Sequence, residues 1–147
     1  MQALGWLSTF LASPPAAGST VLLVDDDPSF LVDLKDLLLT YMGDVHIVTA
    51  TSGPAALQLM RQQPVDLVIS DNNMPEMTGL QFLAQAVVEH PGVPRVMMTG
   101  YPLFDTAMNA LDAARVSDVI PKPPHSERTV NLVRRLLNER RSGVASA

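Results

Sequence analysis

The sequence predicts an α/β fold in which one parallel, five-stranded sheet is covered by helices. Three observations point there. Five times after residue 19, a short β-rich run is followed by a longer segment with apolar residues at helical spacing, the signature of a βα repeat. The central run, Leu67-Val68-Ile69, is apolar at every position, as in a strand buried on both faces. Finally, Asp25, Asp26, Asp71, Thr99 and Lys122 stand at the ends of four such runs, and right-handed crossovers bring those ends to one edge of the sheet.

The 147 residues make one domain, and 47% hydrophobic content is enough to build a core. Fifteen acidic against ten basic residues give a net charge of -5, the wrong sign for a general nucleic-acid binder, so no direct contact with DNA or RNA is expected. There is no cysteine, and His46, His90 and His125 are too scattered to suggest a zinc pair. Any metal must therefore use oxygen ligands.

The division expected is residues 1–19 as an N-terminal tail or short helix with a linker, 20–139 as the folded domain and 140–147 as a C-terminal tail. No charged residue occurs between Met1 and Val24, and Leu4, Trp6, Leu7, Phe10 and Leu11 form an apolar segment before Ser13-Pro14-Pro15 and Gly18-Ser19 interrupt it. It is too short to span a bilayer and lacks the basic region of a secretory signal. It reads either as a poorly ordered terminus or as a hydrophobic flap that packs on its own domain or on a second copy.

Val21–Val24 is the first strand. Asp27-Pro28 supplies the N-cap and first residue of a helix whose Phe30, Leu31, Leu34, Leu37, Leu38 and Tyr41 are expected to share the buried face, and Gly43 ends it. Val45–Thr49 is the second strand; Pro54 opens a helix with Leu57 and Met60 inward, stopped at Gln63-Pro64. The third strand leads to Asp71, and the next helix runs from about Gly79 to Val88 with Leu80, Leu83 and Val87 inward, until His90-Pro91-Gly92. Arg95–Met98 is the fourth strand, followed by Thr99-Gly100-Tyr101-Pro102 and a helix carrying Ala107, Ala110, Leu111 and Ala114. Asp118–Pro121 is the fifth, and its proline, which cannot donate to a ladder, places it at an edge. A last helix turns Val130, Val133, Leu136 and Leu137 inward, and Arg134, Arg135, Arg140 and Arg141 favour its negative end and solvent.

Each strand-tip residue has a plain explanation, as turn residue, cap or surface charge, but their joint placement is harder to dismiss. Three clustered carboxylates repel one another unless a cation lies among them, and hard oxygen ligands with room for water suit Mg²⁺. Phosphoryl transfer needs an oxygen nucleophile, a divalent ion and donors for the remaining phosphoryl oxygens. In that reading Asp71 is the nucleophile, Asp26 a direct Mg²⁺ ligand, Asp25 a ligand largely through water, and the backbone carbonyl of Asn73 a further one. Thr99 and Lys122 hold the phosphoryl group.

The motifs Val-Asp-Asp-Asp-Pro at 24–28, Ile-Ser-Asp-Asn-Asn-Met-Pro at 69–75 with Gly79, Met-Thr-Gly-Tyr at 98–101 and Lys-Pro at 122–123 occur in this order. Over residues 20 to 139 the chain resembles the receiver domain of two-component response regulators, of the chemotaxis-regulator kind. The resemblance implies a flavodoxin-like (βα)5 sandwich with strand order 2-1-3-4-5, Mg²⁺-dependent phosphorylation of Asp71, autodephosphorylation without turnover of an external substrate, and a cis peptide at Lys122-Pro123. The implied partners are a sensor histidine kinase or phosphotransfer protein and a downstream protein or output domain, in the cytoplasm, with a homodimer as a further assembly to test. No effector domain follows the last helix, so the chain reads as a stand-alone receiver or a piece of a larger regulator.

Two residues depart from the family pattern. The aromatic switch residue usual three positions before the lysine is Val119 here, and Lys-Pro is followed by Pro124 instead of Phe. These departures put the usual output face in doubt, and Tyr101, two residues beyond Thr99, becomes a candidate switch beside Thr99 and Val119. Two other readings compete. An aspartyl-phosphate hydrolase of the haloacid dehalogenase type would need a second Asp at position 73, where Asn stands. A receiver-like interaction module that is never phosphorylated would not require the complete acceptor set. A dinucleotide-binding fold is disfavoured, because no G-x-G-x-x-G follows the first strand.

Overall fold

The structure is a computed structural model that describes residues 18–100, 112 and 114–143. Its strands are β1 (Thr20–Val24), β2 (His46–Ala50), β3 (Leu67–Asp71), β4 (Arg95–Thr99) and β5 (Asp118–Pro121). They form one parallel sheet in the order β2-β1-β3-β4-β5, the order expected, with the Pro121 strand at an edge. The described helices are α1 (Pro28–Met42), α2 (Gly53–Gln62), α3 (Gly79–Glu89) and α4 (Ser126–Arg141).

Their starts follow local chemistry. The Asp27 side chain accepts from the Ser29 N–H ahead of Pro28, Ser52 caps α2, and Thr78 and Gln81 form a reciprocal capping box on α3. Gly43 closes α1 with φ of 65°, a conformation glycine adopts without a Cβ clash.

Alternation along the strands divides the core in two. Val21, Leu23, Leu67, Ile69, Val96 and Met98 pack under α1 and α4, whereas Leu22, Val24, Val68 and Met97 pack under α2 and α3. β3 is buried at all five positions, as its unbroken apolar run requires.

Three expectations need correction. In α1 the buried stripe is Leu31, Leu34, Leu38 and Met42; Phe30 and Leu37 are half-buried, and Tyr41 is 56% exposed. Met42, not Tyr41, completes the 3–4–4 spacing that stays over the sheet, which leaves Tyr41 on the helix shoulder. In α3 the stripe is Gly79, Phe82, Leu83 and Ala86, while Leu80 and Val87 are only partly covered. Gly79 sets this phase by its close approach to the end of β3. The arginines of α4 are also less purely solvent-facing than expected: Arg140 Nε lies 3.1 Å from Asp66 Oδ1, and its Nη1 donates to the Gly92 carbonyl at 2.6 Å. The expected N-terminal segment from Leu4 to Leu11, Tyr101, and Ala107, Ala110 and Leu111 of the helix after β4 lie outside the described residues; Ala114 is helical and buried.

One buried cation was not singled out by the sequence pattern. Arg95, 1% exposed, begins β4 and donates to the carbonyls of Ala114, Arg115, Pro91 and Val93. Burial holds its guanidinium below the usual arginine range. The side chain therefore ties the start of β4 to the turn that leads into β5.

Candidate functional site

Three consecutive aspartates separate into three roles at the end of β1. The Asp25 N–H still donates to the Ala50 carbonyl at 3.1 Å, which holds Asp25 in line with the sheet, fully buried. Its Oδ1 accepts from the Asp27 N–H at 2.9 Å and its Oδ2 from Lys122 Nζ at 2.6 Å. Asp26 is exposed, and Asp27 turns away to cap α1.

Asp71 is the last residue of β3 and is 4% exposed. The turn beyond it is held by Asn72, whose carbonyl accepts from the Gly79 N–H at 2.9 Å and whose side-chain Oδ1 accepts from the Leu80 N–H at 3.1 Å. A Cβ on residue 79 would lie 2.2 Å from the Asp71 carbonyl oxygen. Glycine is thus required here by proximity, because α3 starts directly against the backbone of Asp71. Asn73 is exposed, and its backbone N–H favours the charged form of the Asp71 carboxylate.

Lys122 follows the edge strand. Its N–H donates to the Thr99 carbonyl at 3.1 Å, and its peptide bond to Pro123 is cis, as the family resemblance implied. The ammonium lies 2.6 Å from Asp25, 3.5 Å from Asp71 and 4.3 Å from the centroid of the Phe30 ring. Phe30, read from sequence only as a core residue, is therefore also a face for the site's cation. Helical spacing gave no signal of that second role.

One carboxylate oxygen from each of Asp25, Asp26 and Asp71 lies within 4.8 Å of the others. The structure brings together Asp25, Asp26, Asp71 and Lys122, with Asn73 against Asp71. Thr99 stands half-buried at the end of β4, opposite Pro121 in register. Val119 does not join them: it pairs with Met97 one step earlier and packs on the α2–α3 side. Tyr101 lies outside the described residues.

Burial raises the Asp71 carboxyl above the usual aspartate range, and the negative charge of Asp25 adds to this; Lys122 and the Asn73 N–H oppose it. For Lys122, burial alone would lower the ammonium, but the Asp25 hydrogen bond and the charges of Asp25 and Asp71 raise it overall. The site thus keeps a permanent cation between two carboxylates, one of which resists ionisation.

These residues fit a hard divalent cation. Three carboxylates converge from two strand ends, two buried and one open to solvent, with oxygen donors only and a water-accessible side. The donor set suits Mg²⁺ better than zinc or copper.

The sequence matches the response regulator receiver domain family over residues 21–134. Among similar curated proteins, the probable transcriptional regulatory protein TcrX of Mycobacterium tuberculosis is 35% identical over 127 residues, covering 86% of this chain and 52% of TcrX. Transcriptional regulatory protein GlrR of Escherichia coli is 42% identical over 90 residues, covering 61% of this chain and 20% of GlrR. The chain thus spans about half the length of TcrX and a fifth of GlrR. Among solved structures, the signal receiver domain of an HD domain-containing protein from Pseudomonas fluorescens superposes with a TM-score of 0.78 at 28% identity, over 85% of this chain and 90% of that one. The Vibrio cholerae chemotaxis protein CheY4 gives 0.73 at 26% identity, over 80% and 98%.

Proposed function

This chain belongs to the response regulator receiver domain family of two-component systems, and on that premise we propose that Asp71 accepts a phosphoryl group from a phosphohistidine donor in the presence of Mg²⁺. The observation that carries this reading is the Lys122 ammonium, 2.6 Å from Asp25 and 3.5 Å from Asp71, in a cluster that also holds Asp26. A nucleophile, a fixed cation and an oxygen ligand set thereby share one strand-tip edge.

In the transfer, an Asp71 carboxylate oxygen forms a bond to phosphorus as the donor's N–P bond breaks and its electron pair leaves on the imidazole nitrogen. Lys122 neutralises charge on a phosphoryl oxygen, and the Thr99 hydroxyl donates to another. Asp26 and Asp71, Asp25 through water, and the Asn73 carbonyl would hold Mg²⁺. The ion, when bound, offsets the charge that develops on the phosphoryl oxygens. Autodephosphorylation follows when water attacks phosphorus, releasing inorganic phosphate and restoring the Asp71 carboxylate.

The added charge draws Thr99 and Lys122 towards residue 71, and the loop after Thr99 follows. Val119 has no ring to report that movement, so Tyr101 is the proposed switch residue. The partners are a sensor histidine kinase or phosphotransfer protein and a downstream protein or output domain, in the cytoplasm. A phosphatase acting on external substrates is disfavoured, because Asn73 cannot serve as the general acid a leaving group needs.

Acetyl phosphate with Mg²⁺ tests the proposal directly. Intact-mass analysis should show one added phosphoryl group, stable in acid and labile in base, on the wild-type protein and none on Asp71→Asn. Equal labelling of the two proteins would refute the assignment.

A further inference from the structure

Away from the strand-tip site, an open groove of about 660 Å³ runs between α1 and α4. It is lined by Tyr41 on α1, by Pro124 and His125 ahead of α4, and by Val130, Asn131 and Arg134 within it. Clefts of about 300–1,000 Å³ are large enough to take the anchoring groups of a ligand or partner. The Tyr41 ring, 56% exposed, stands at one end of this groove without a cover among the described residues.

The chain carries an apolar segment tethered close to that end. The Ser19 carbonyl accepts from the His46 N–H at 2.8 Å, so the start of the described chain lies beside the first residue of β2, five positions after Tyr41. Leu11 is seven residues before Gly18, a tether of about 25 Å when extended. At about 100° per residue, Leu4, Trp6, Leu7, Phe10 and Leu11 fall within one arc of about 160°, and Gly5, Ser8 and Thr9 fall outside it. No charge between Met1 and Val24 opposes burial of such a face.

We propose that residues 4–11 seat this apolar face in the α1–α4 groove of their own chain, with Trp6 and Phe10, one helical turn apart, as the anchors beside Tyr41 and Val130. The segment is a built-in cover for one face of the domain. The proposal does not depend on the chemistry of Asp71, and its readouts do not involve that residue.

Trp6 is the only tryptophan of the chain, so its fluorescence reports its surroundings without ambiguity. In the full-length protein its emission should be blue-shifted from that of free N-acetyltryptophanamide, at every protein concentration, with severalfold slower acrylamide quenching. Tyr41→Asp, a change at an exposed position, should shift the emission to the red and restore fast quenching while leaving the melting temperature within experimental error. In a second measurement on the full chain, Trp6→Ala should move the amide resonances of Tyr41, Asn131 and Arg134. Solvent-like Trp6 emission in the wild type would overturn the proposal, as would a buried Trp6 that ignores Tyr41→Asp together with unmoved groove resonances. A blue shift lost on dilution would place the segment on a second copy instead, and one that appears only with phosphatidylcholine vesicles would place it on a lipid surface.

Discussion

The charge balance at the strand tips predicts that Asp71→Asn stabilises the metal-free protein at neutral pH, although it removes the proposed nucleophile. At an effective dielectric of about 20, two unit charges within 4.8 Å repel by at least about 3 kcal/mol, so Asp71 faces two repulsions of that size, from Asp25 and Asp26. Its attraction to Lys122 at 3.5 Å is worth about 5 kcal/mol on the same basis. Solvent screens exposed Asp26 and discounts its share, which brings the charge terms close to balance, so the burial cost of the Asp71 carboxylate decides the sign and makes the ionised form a net penalty. Asparagine keeps the shape and removes the charge. Because the folded-state carboxyl lies above its unfolded value, its contribution to stability is fully present below the unfolded aspartate pKa and is lost as pH rises through the folded pKa. Urea melts in EDTA should therefore show wild type and Asp71→Asn converging in acid and diverging by about 1–2 kcal/mol towards pH 7, with the variant the more stable. Adding Mg²⁺ at ten times its dissociation constant should stabilise the wild type by about 1.4 kcal/mol, and Asp26→Asn or Asp71→Asn by much less. An Asp71→Asn protein less stable than wild type at pH 7 without metal would refute the reasoning, because it would mean that Lys122 already overcompensates the other carboxylates.

Three further predictions test the scaffold. Gly79→Ala forces a methyl group to within 2.2 Å of the Asp71 carbonyl, so it should cost about 1–3 kcal/mol in urea melts and slow acetyl phosphate labelling as β3 and α3 separate. Arg95→Met leaves buried carbonyls at the start of β4 and the entry to β5 without donors; a loss on the order of 3 kcal/mol, with faster amide exchange at residues 114–117, is expected. Arg140→Ala should cost less than about 1 kcal/mol, and less still in high salt. Asp66→Ala should cost about 1 kcal/mol more at any salt, because Asp66 Oδ2 also accepts from the Thr20 N–H at 2.8 Å.

Much of this molecule is legible in local sequence because local physics decides it. The unbroken apolar run before Asp71 places a doubly buried strand, Asp27-Pro28 and Gly43 bound α1, and Pro121 sends β5 to an edge, each through the backbone or solvation preference of a few neighbouring residues. The placement of Asp25, Asp26, Asp71 and Lys122 on one edge was likewise readable, since parallel strands joined by crossovers leave their tips together.

Tertiary structure alone decided what those residues touch. Lys122 reaches Asp25 across a sequence separation of 97, and no local pattern specifies that its ammonium would rest on the Phe30 ring and lie closer to Asp25 than to Asp71. Arg95 is the clearest case: its charge argues for a surface, yet two carbonyl groups just before it, of Pro91 and Val93, and two from the distant turn at Ala114 and Arg115 meet its donors and make burial acceptable. Tyr41 shows the converse, a residue hydrophobic enough for the core that Met42 displaces because only one of them can face the sheet. Periodicity specifies a helical face to within a residue or so, whereas the angle at which the helix meets its sheet settles which side chains are covered.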